Sequence, residues 1–162
     1  MAVRKPLDLE REFLDAFEHS GRVTEHLVRV LPPGVWRASP PAGRGRTIAA
    51  IVAHIHGVRR TFAKMGGIAV ALPALDRATS TQAHALRAIQ HSNEALAQLF
   101  GGALARGDGR IKGLPRRVVN MMVYILQHDA HHRGQICSLA RALGHEFRGD
   151  DVMRLWGWKK LP

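Results

Sequence analysis

Apolar residues recur along most of this chain at spacings of three and four, the period of one face of a helix. In the first such segment, residues 7–30, the predicted core stripe is Leu9, Phe13, Phe17, Val23, Leu27 and Val30. Pro32, Pro33 and Gly34 end it. A connector rich in Pro, Gly and Arg covers 39–46, and Thr47 opens a second helix that runs to Met65 and is closed by Gly66 and Gly67. Thr79, with Gln82 three residues on, has the pattern of a capping box. It announces a third helix that reaches Leu104 and stops in Gly107-Asp108-Gly109. A basic loop, 110–115, leads into a fourth helix, 116–143, with Gly144 as its C-terminal cap. A short amphipathic turn spans 151–156. No segment alternates with the period of a strand, and no repeat or low-complexity tract interrupts the chain. The pattern predicts an all-α fold: a single domain over 1–162, a four-helix bundle with a short C-terminal helical tail. The 66–78 connector is long for a tight hairpin and predicts a crossover along the bundle.

The fourth segment carries the chemistry. His128-Asp129-Ala130-His131-His132-Arg133-Gly134-Gln135 places three of the ten histidines within five positions. On a helix turning about 100° per residue, Met121, Tyr124, His132, Gln135 and Leu139 fall within about 40° of His128. His131 lies on the flank, and Asp129 and Arg133 toward the margin. His128 and His132 therefore sit on the apolar stripe, one turn apart. On the second helix His54 shares its face with Thr47, Ala50, Ile51, Val58, Thr61 and Met65. His56 falls on the opposite side with Arg59 and Arg60. His54, His128 and His132 are thus candidate ligands for one divalent ion, held between facing helices. Three neutral imidazoles would leave a position open to water or a thiol, and no coordinating thiolate closes the site. Imidazole ligands suit zinc, nickel, copper and iron and do not choose among them; zinc or nickel is the first expectation, iron or manganese the next. The competing expectation is three core histidines bonded to carbonyls. His19, His26, His84 and His91 are expected to be partly solvated helix positions.

Tyr124 and Gln135 are the catalytic candidates beside the metal: Tyr124 as a hydrogen-bond donor one turn before His128, Gln135 as a partner for the outer nitrogen of a ligand histidine. The chain has 24 Lys and Arg against 13 Asp and Glu, a formal charge of +11. That excess admits a nucleic-acid-binding protein as an alternative. The cations are scattered, however, which argues against nucleic acid and against an anionic membrane. Their densest run, with Arg110, Lys112, Arg116 and Arg117, is the candidate for binding an anionic substrate or the carboxylates of a thiol cofactor. A single cysteine, Cys137, excludes an internal disulfide framework and fits a cytoplasmic location. It falls about 180° from His128 and reads as a small hydrophobe. Val123, Leu126, Ala130 and Cys137 make a second apolar stripe, expected at a homodimer interface. Gly134 in mid-helix is expected to permit close approach of a neighbouring helix.

The block running from His128 to Ile136, with Leu139 and Arg141-Ala142-Leu143-Gly144, resembles the signature of the DinB-like superfamily. The second-helix segment from Thr47 through His54 to Phe62 does too. The resemblance covers about residues 7–145. It implies a four-helix bundle with a long crossover, a homodimer, and a divalent metal on His54, His128 and His132. Relatives include damage-inducible, stress-response proteins, transferases that use bacillithiol or mycothiol, and a thiol-dependent isomerase. Others carry the description of metal-dependent hydrolases. The function implied is a metal-dependent thiol transferase or hydrolase acting on a small molecule. The rival expectation is a non-catalytic dimeric metal-binding or structural module.

Overall fold

The computed structural model describes residues 6–71, 73–115 and 117–161. Among them four long helices, α1 (Leu9–Val30), α3 (Ile48–Met65), α4 (Gln82–Ala105) and α5 (Val118–Ala142), form a helical bundle. Two short helices, α2 (Pro33–Trp36) and α6 (Asp150–Leu155), flank it, and no strand occurs among the described residues. No helix among them is long and apolar enough to cross a membrane.

Helix ends follow local chemistry. Asp8 caps α1 by accepting from the Arg11 amide, and Thr47 caps α3 by accepting from Ala50. Gly67, at φ +87°, ends α3 in a Schellman turn, with the Ile68 amide donating to Ala63 O. Gly144, at φ +85°, does the same for α5, and His145 donates to Ala140 O. The cap of α4 is Thr81, whose hydroxyl accepts from His84, so the Thr79–Gln82 capping box does not form. Thr79 instead joins a turn built on Asp76, and Gln82 donates to Val28 O and Leu31 O, tying α4 to α1.

The pairings set the topology. Gln82 meets the end of α1, Gly21 faces Asn93, and Gly101 faces Leu14, so α1 and α4 are antiparallel. Arg59 reaches Ile89, while Gly66 meets Leu99, so α3 and α4 run the same way. The chain between them must therefore travel back along the bundle, which is the expected crossover. It is fixed by His56 Nε2 donating to Pro73 O, by buried Leu75, and by Trp36 Nε1 donating to Ser80 O. His54 faces His132, and Phe62 faces Tyr124, which makes α3 and α5 antiparallel.

The core is two apolar clusters rather than one. The first holds Leu27, Ile51, Ile55, Ile89 and Ile136; the second holds Phe17, Ala63, Leu96, Met122 and Ile125. Each long helix contributes to both, and between its two contributions each carries buried or half-buried polar groups. These are Ser20 and Thr24 on α1, His56 and Arg59 on α3, Ser92 and Asn93 on α4, and Asp129, His132 and Arg133 on α5. The bundle has a polar waist.

Several burial expectations change. Leu9 and Phe13 are exposed, at 59% and 41%, although neighbouring Leu14 reaches Gly101 of α4. His26 is buried, since α6 folds back over it and places Asp151 Oδ1 3.2 Å from its Nε2. His56 is fully buried rather than outward, because the crossover and α4 cover the second face of α3. Gly134 is exposed, and a Cβ there would meet nothing, so no helix of this chain approaches it.

Candidate metal centre

His54 lies one turn beyond Ile51 on α3, and His128 and His132 lie one turn apart on α5. The antiparallel pairing of these helices brings the three rings together. Their centroids are 4.5 Å (His128–His132), 4.7 Å (His54–His132) and 5.2 Å (His54–His128) apart. One ligand atom from each lies within 4.8 Å of the others, and these are the only metal-competent group of three among the described residues. The cluster sits at the polar waist, with His132 buried and the other two half-buried.

The outer nitrogens decide which lone pairs point inward. His128 Nδ1 lies 3.1 Å from Asp129 Oδ1. An ionised carboxylate can only accept, so Nδ1 carries the proton and Nε2 the lone pair. His132 Nδ1 donates likewise to Gln135 Oε1 at 2.7 Å, and Gln135 Nε2 donates to His131. His128 Nε2 and His54 Nε2 face each other at 3.3 Å. Inward-aimed imidazole lone pairs repel unless a proton or a cation lies between them, so the donor set fits a divalent ion. Burial lowers the pKa of His132. Burial also lowers that of His54, aided by His132 and by the charge of Arg46. Both rings are thus kept in the neutral form that ligation needs.

Behind the histidines is a buried ion pair. Arg59 Nε donates to Asp129 Oδ2 at 2.9 Å, Nη2 donates to the same oxygen, and Nη1 reaches Ile89 O at 3.4 Å. The two side chains are 1% and 3% exposed. Burial pushes the Asp129 carboxyl upward, but the Arg59 charge and the hydrogen bond from His128 outweigh it and hold the pKa below its ordinary value. Asp129 is therefore an ionised bridge from Arg59 to His128. Helical phasing placed Asp129 at the margin and Arg59 on an outward face, and both assignments fail because α3 and α5 are buried on more than one side. The available signal was Arg59 itself, a charge set amid the apolar run of α3 five residues after His54.

The remaining candidates are distributed as follows. Gln135 is exposed but bonded to His132. The Tyr124 ring lies on His128, centroids 6.1 Å apart and planes at 29°, and packs edge-on to Phe62. Arg110, Lys112 and Arg117 line a different cavity of about 1020 Å³, with Gly66, Leu99 and Ile111, at the far end of α3. Eleven residues of helix separate Arg117 from His128, roughly 16 Å of rise. The loop does not overhang the histidines. It is packed on α3 instead, where a Cβ on Gly113 would strike Met65 O. Arg116 lies outside the described residues. Cys137 is half-buried against the first apolar cluster, and burial raises its pKa.

Among known proteins, no curated protein and no solved structure matches the chain. The model of the DinB family matches residues 4–159, which takes in all four long helices and the three histidines. The chain belongs to the DinB family.

Proposed function

We propose that the protein is a metal-dependent enzyme in which His54, His128 and His132 hold a divalent ion, zinc or nickel first, and leave a position for a small thiol or for water. The observation that supports this most is the convergence of three imidazole nitrogens, with the outer nitrogens of His128 and His132 already committed to Asp129 and Gln135. When bound, such an ion supplies Lewis-acid chemistry that lowers the pKa of a thiol or a water molecule. The chain's own groups do the rest. Asp129 keeps the proton on His128 Nδ1, Gln135 keeps it on His132 Nδ1, and the Tyr124 ring shields one flank of His128 from solvent. Transfer from a low-molecular-weight thiol and hydrolysis differ only in what fills the open position.

The test is elemental analysis of purified protein beside His132→Ala. Wild type should retain metal and the variant should lose it; equal content in both sinks the ligand assignment. Metal-loaded protein should then turn over either a thiol-transfer or an ester substrate. Turnover of neither would favour the non-catalytic metal-binding module.

A homodimer, in the cytoplasm, belongs to the same proposal. Arg133 of α5 bonds to Ser20 and Thr24 of α1. Leu9 and Phe13 on α1 and Val123 on α5 are large apolar side chains left exposed, and a second copy of the chain would cover them. Phe13→Ser with Val123→Ser should halve the mass measured by light scattering.

A further inference from the structure

The segment between α2 and α3 carries two arginines that the fold does not use. Arg44 and Arg46 are exposed, and neither guanidinium has a hydrogen-bond or ion-pair partner among the described residues. The backbone that presents them is a defined turn. The Gly43 amide donates to Pro40 O at 2.9 Å, and Gly43 and Gly45 take φ of +68° and +111°. Such left-handed values suit glycine, and they alternate with the two arginines.

Both side chains line an open cavity of about 590 Å³ whose other walls include Ile51, His131 and Gln135. Two of those walls adjoin the histidine cluster, whose three members do not themselves line the cavity. Gln135 is bonded to His132, and Ile51 is one turn before His54 on the same helix. The cavity therefore adjoins the histidine cluster through Gln135 and Ile51.

We propose, given a metal held by the three histidines, that Arg44 and Arg46 bind a carboxylate on the substrate and thereby select small organic acids. A guanidinium pairs with a carboxylate through charge-assisted, often bidentate, hydrogen bonds. Gln135 links the two subsites, lining the cavity of the arginines and bonded to the ligand candidate His132. The basic loop at 110–117 takes no part, since it lies in another cavity.

The probes are two thiols, mercaptosuccinate and neutral 2-mercaptoethanol, titrated calorimetrically into metal-loaded protein. Mercaptosuccinate should bind at least about tenfold more tightly, a difference of about 1.4 kcal/mol. Arg44→Gln with Arg46→Gln should abolish that preference while leaving metal content and 2-mercaptoethanol binding unchanged. A control pair with the same loss of charge, Lys64→Gln with Arg87→Gln, should retain it. Equal affinity for the two thiols in wild type would overturn the proposal, as would a preference that survives the arginine substitutions. Equal loss in the control pair would also overturn it, because net charge would then be the cause. Wild-type protein that holds no metal would remove the metal site and this inference together, whereas metal-replete protein without the preference removes the inference alone.

Discussion

Asp129→Asn separates the two roles of the buried bridge. The substitution keeps the shape and an acceptor for His128 but removes the charge that faces Arg59. Arg59 is then a cation 1% exposed, left with Ile89 O at 3.4 Å and a neutral amide. Removing one partner of a buried, hydrogen-bonded pair costs about 3–5 kcal/mol, most of it from the stranded charge. Metal affinity should fall as well, by about 10- to 100-fold, since a neutral amide polarises an imidazole less than a carboxylate does. Arg59→Met should cost a similar amount of stability by stranding the carboxylate. The double variant carries no buried charge and should be far more stable than the sum of the two losses implies, with a coupling of about 2–3 kcal/mol. Its metal affinity should stay at the Asp129→Asn level, because His128 still lacks its carboxylate. Urea unfolding of metal-free protein gives the stabilities, and competition with a chromophoric chelator gives zinc affinity. A loss below about 1 kcal/mol in Asp129→Asn, or strict additivity in the double variant, would refute the buried bridge. Restored zinc affinity in the double variant would refute the link from Asp129 to His128.

Three further outcomes follow from particular contacts. Gly21→Ala would bring a Cβ within 2.1 Å of the buried Asn93 side chain, so it should destabilise the fold by about 1–3 kcal/mol despite alanine's better helix propensity; a rise in thermal midpoint would contradict the α1–α4 packing. Gln135→Ala should weaken zinc binding about tenfold in the chelator competition with little change in stability, since Gln135 is exposed and bonded to His132; unaltered affinity would sink its role. His26 has a pKa lowered by burial, with Asp151 opposing and Arg154 and Arg29 assisting, so the unfolded chain takes up its proton first as pH falls. The stability this contributes is complete above about 6.5 and declines below it, so the hydrogen-exchange protection of α6, corrected for the intrinsic rate, should fall from pH 7 to pH 5, and His26→Gln should flatten the change.

What was legible in the sequence was what is local. Helix positions follow from apolar spacing and from Gly and Pro at the ends, and the caps at Thr47 and Gly144 form as their chemistry requires. The HxxxH spacing fixes one helix face whatever the rest of the chain does, which is why the histidine cluster came within reach. Phasing fails where it assumes one buried face per helix. α3 is covered by α4, α5 and the crossover, so His56 and Arg59 are buried on the side expected to meet solvent. The Arg59–Asp129 pair joins residues 70 apart in sequence, so the position of Arg59 in α3 signals a charge among apolar residues but not its partner. Leu9 and Phe13 err the other way: they share the period of buried Phe17, yet the first turns of α1 leave them in solvent. The composition of the 110–117 loop gives its charge and not its end of the bundle.

The polar waist connects these observations. Two apolar clusters with hydrophobic residues at the junction would be the more stable arrangement, because burying charges costs desolvation that hydrogen bonds only partly return. Here each of the four long helices places polar groups at one level, and Arg59 and Asp129 can meet only if α3 and α5 are in register there. A slip of one helical turn, about 5.4 Å, would set both charges against an apolar cluster. The waist thus penalises every register but one, and that register is the one that converges the three imidazoles. Stability is given up at the level where alignment of α3 and α5 matters most, and the same ion pair that enforces the alignment also sets the tautomer of His128.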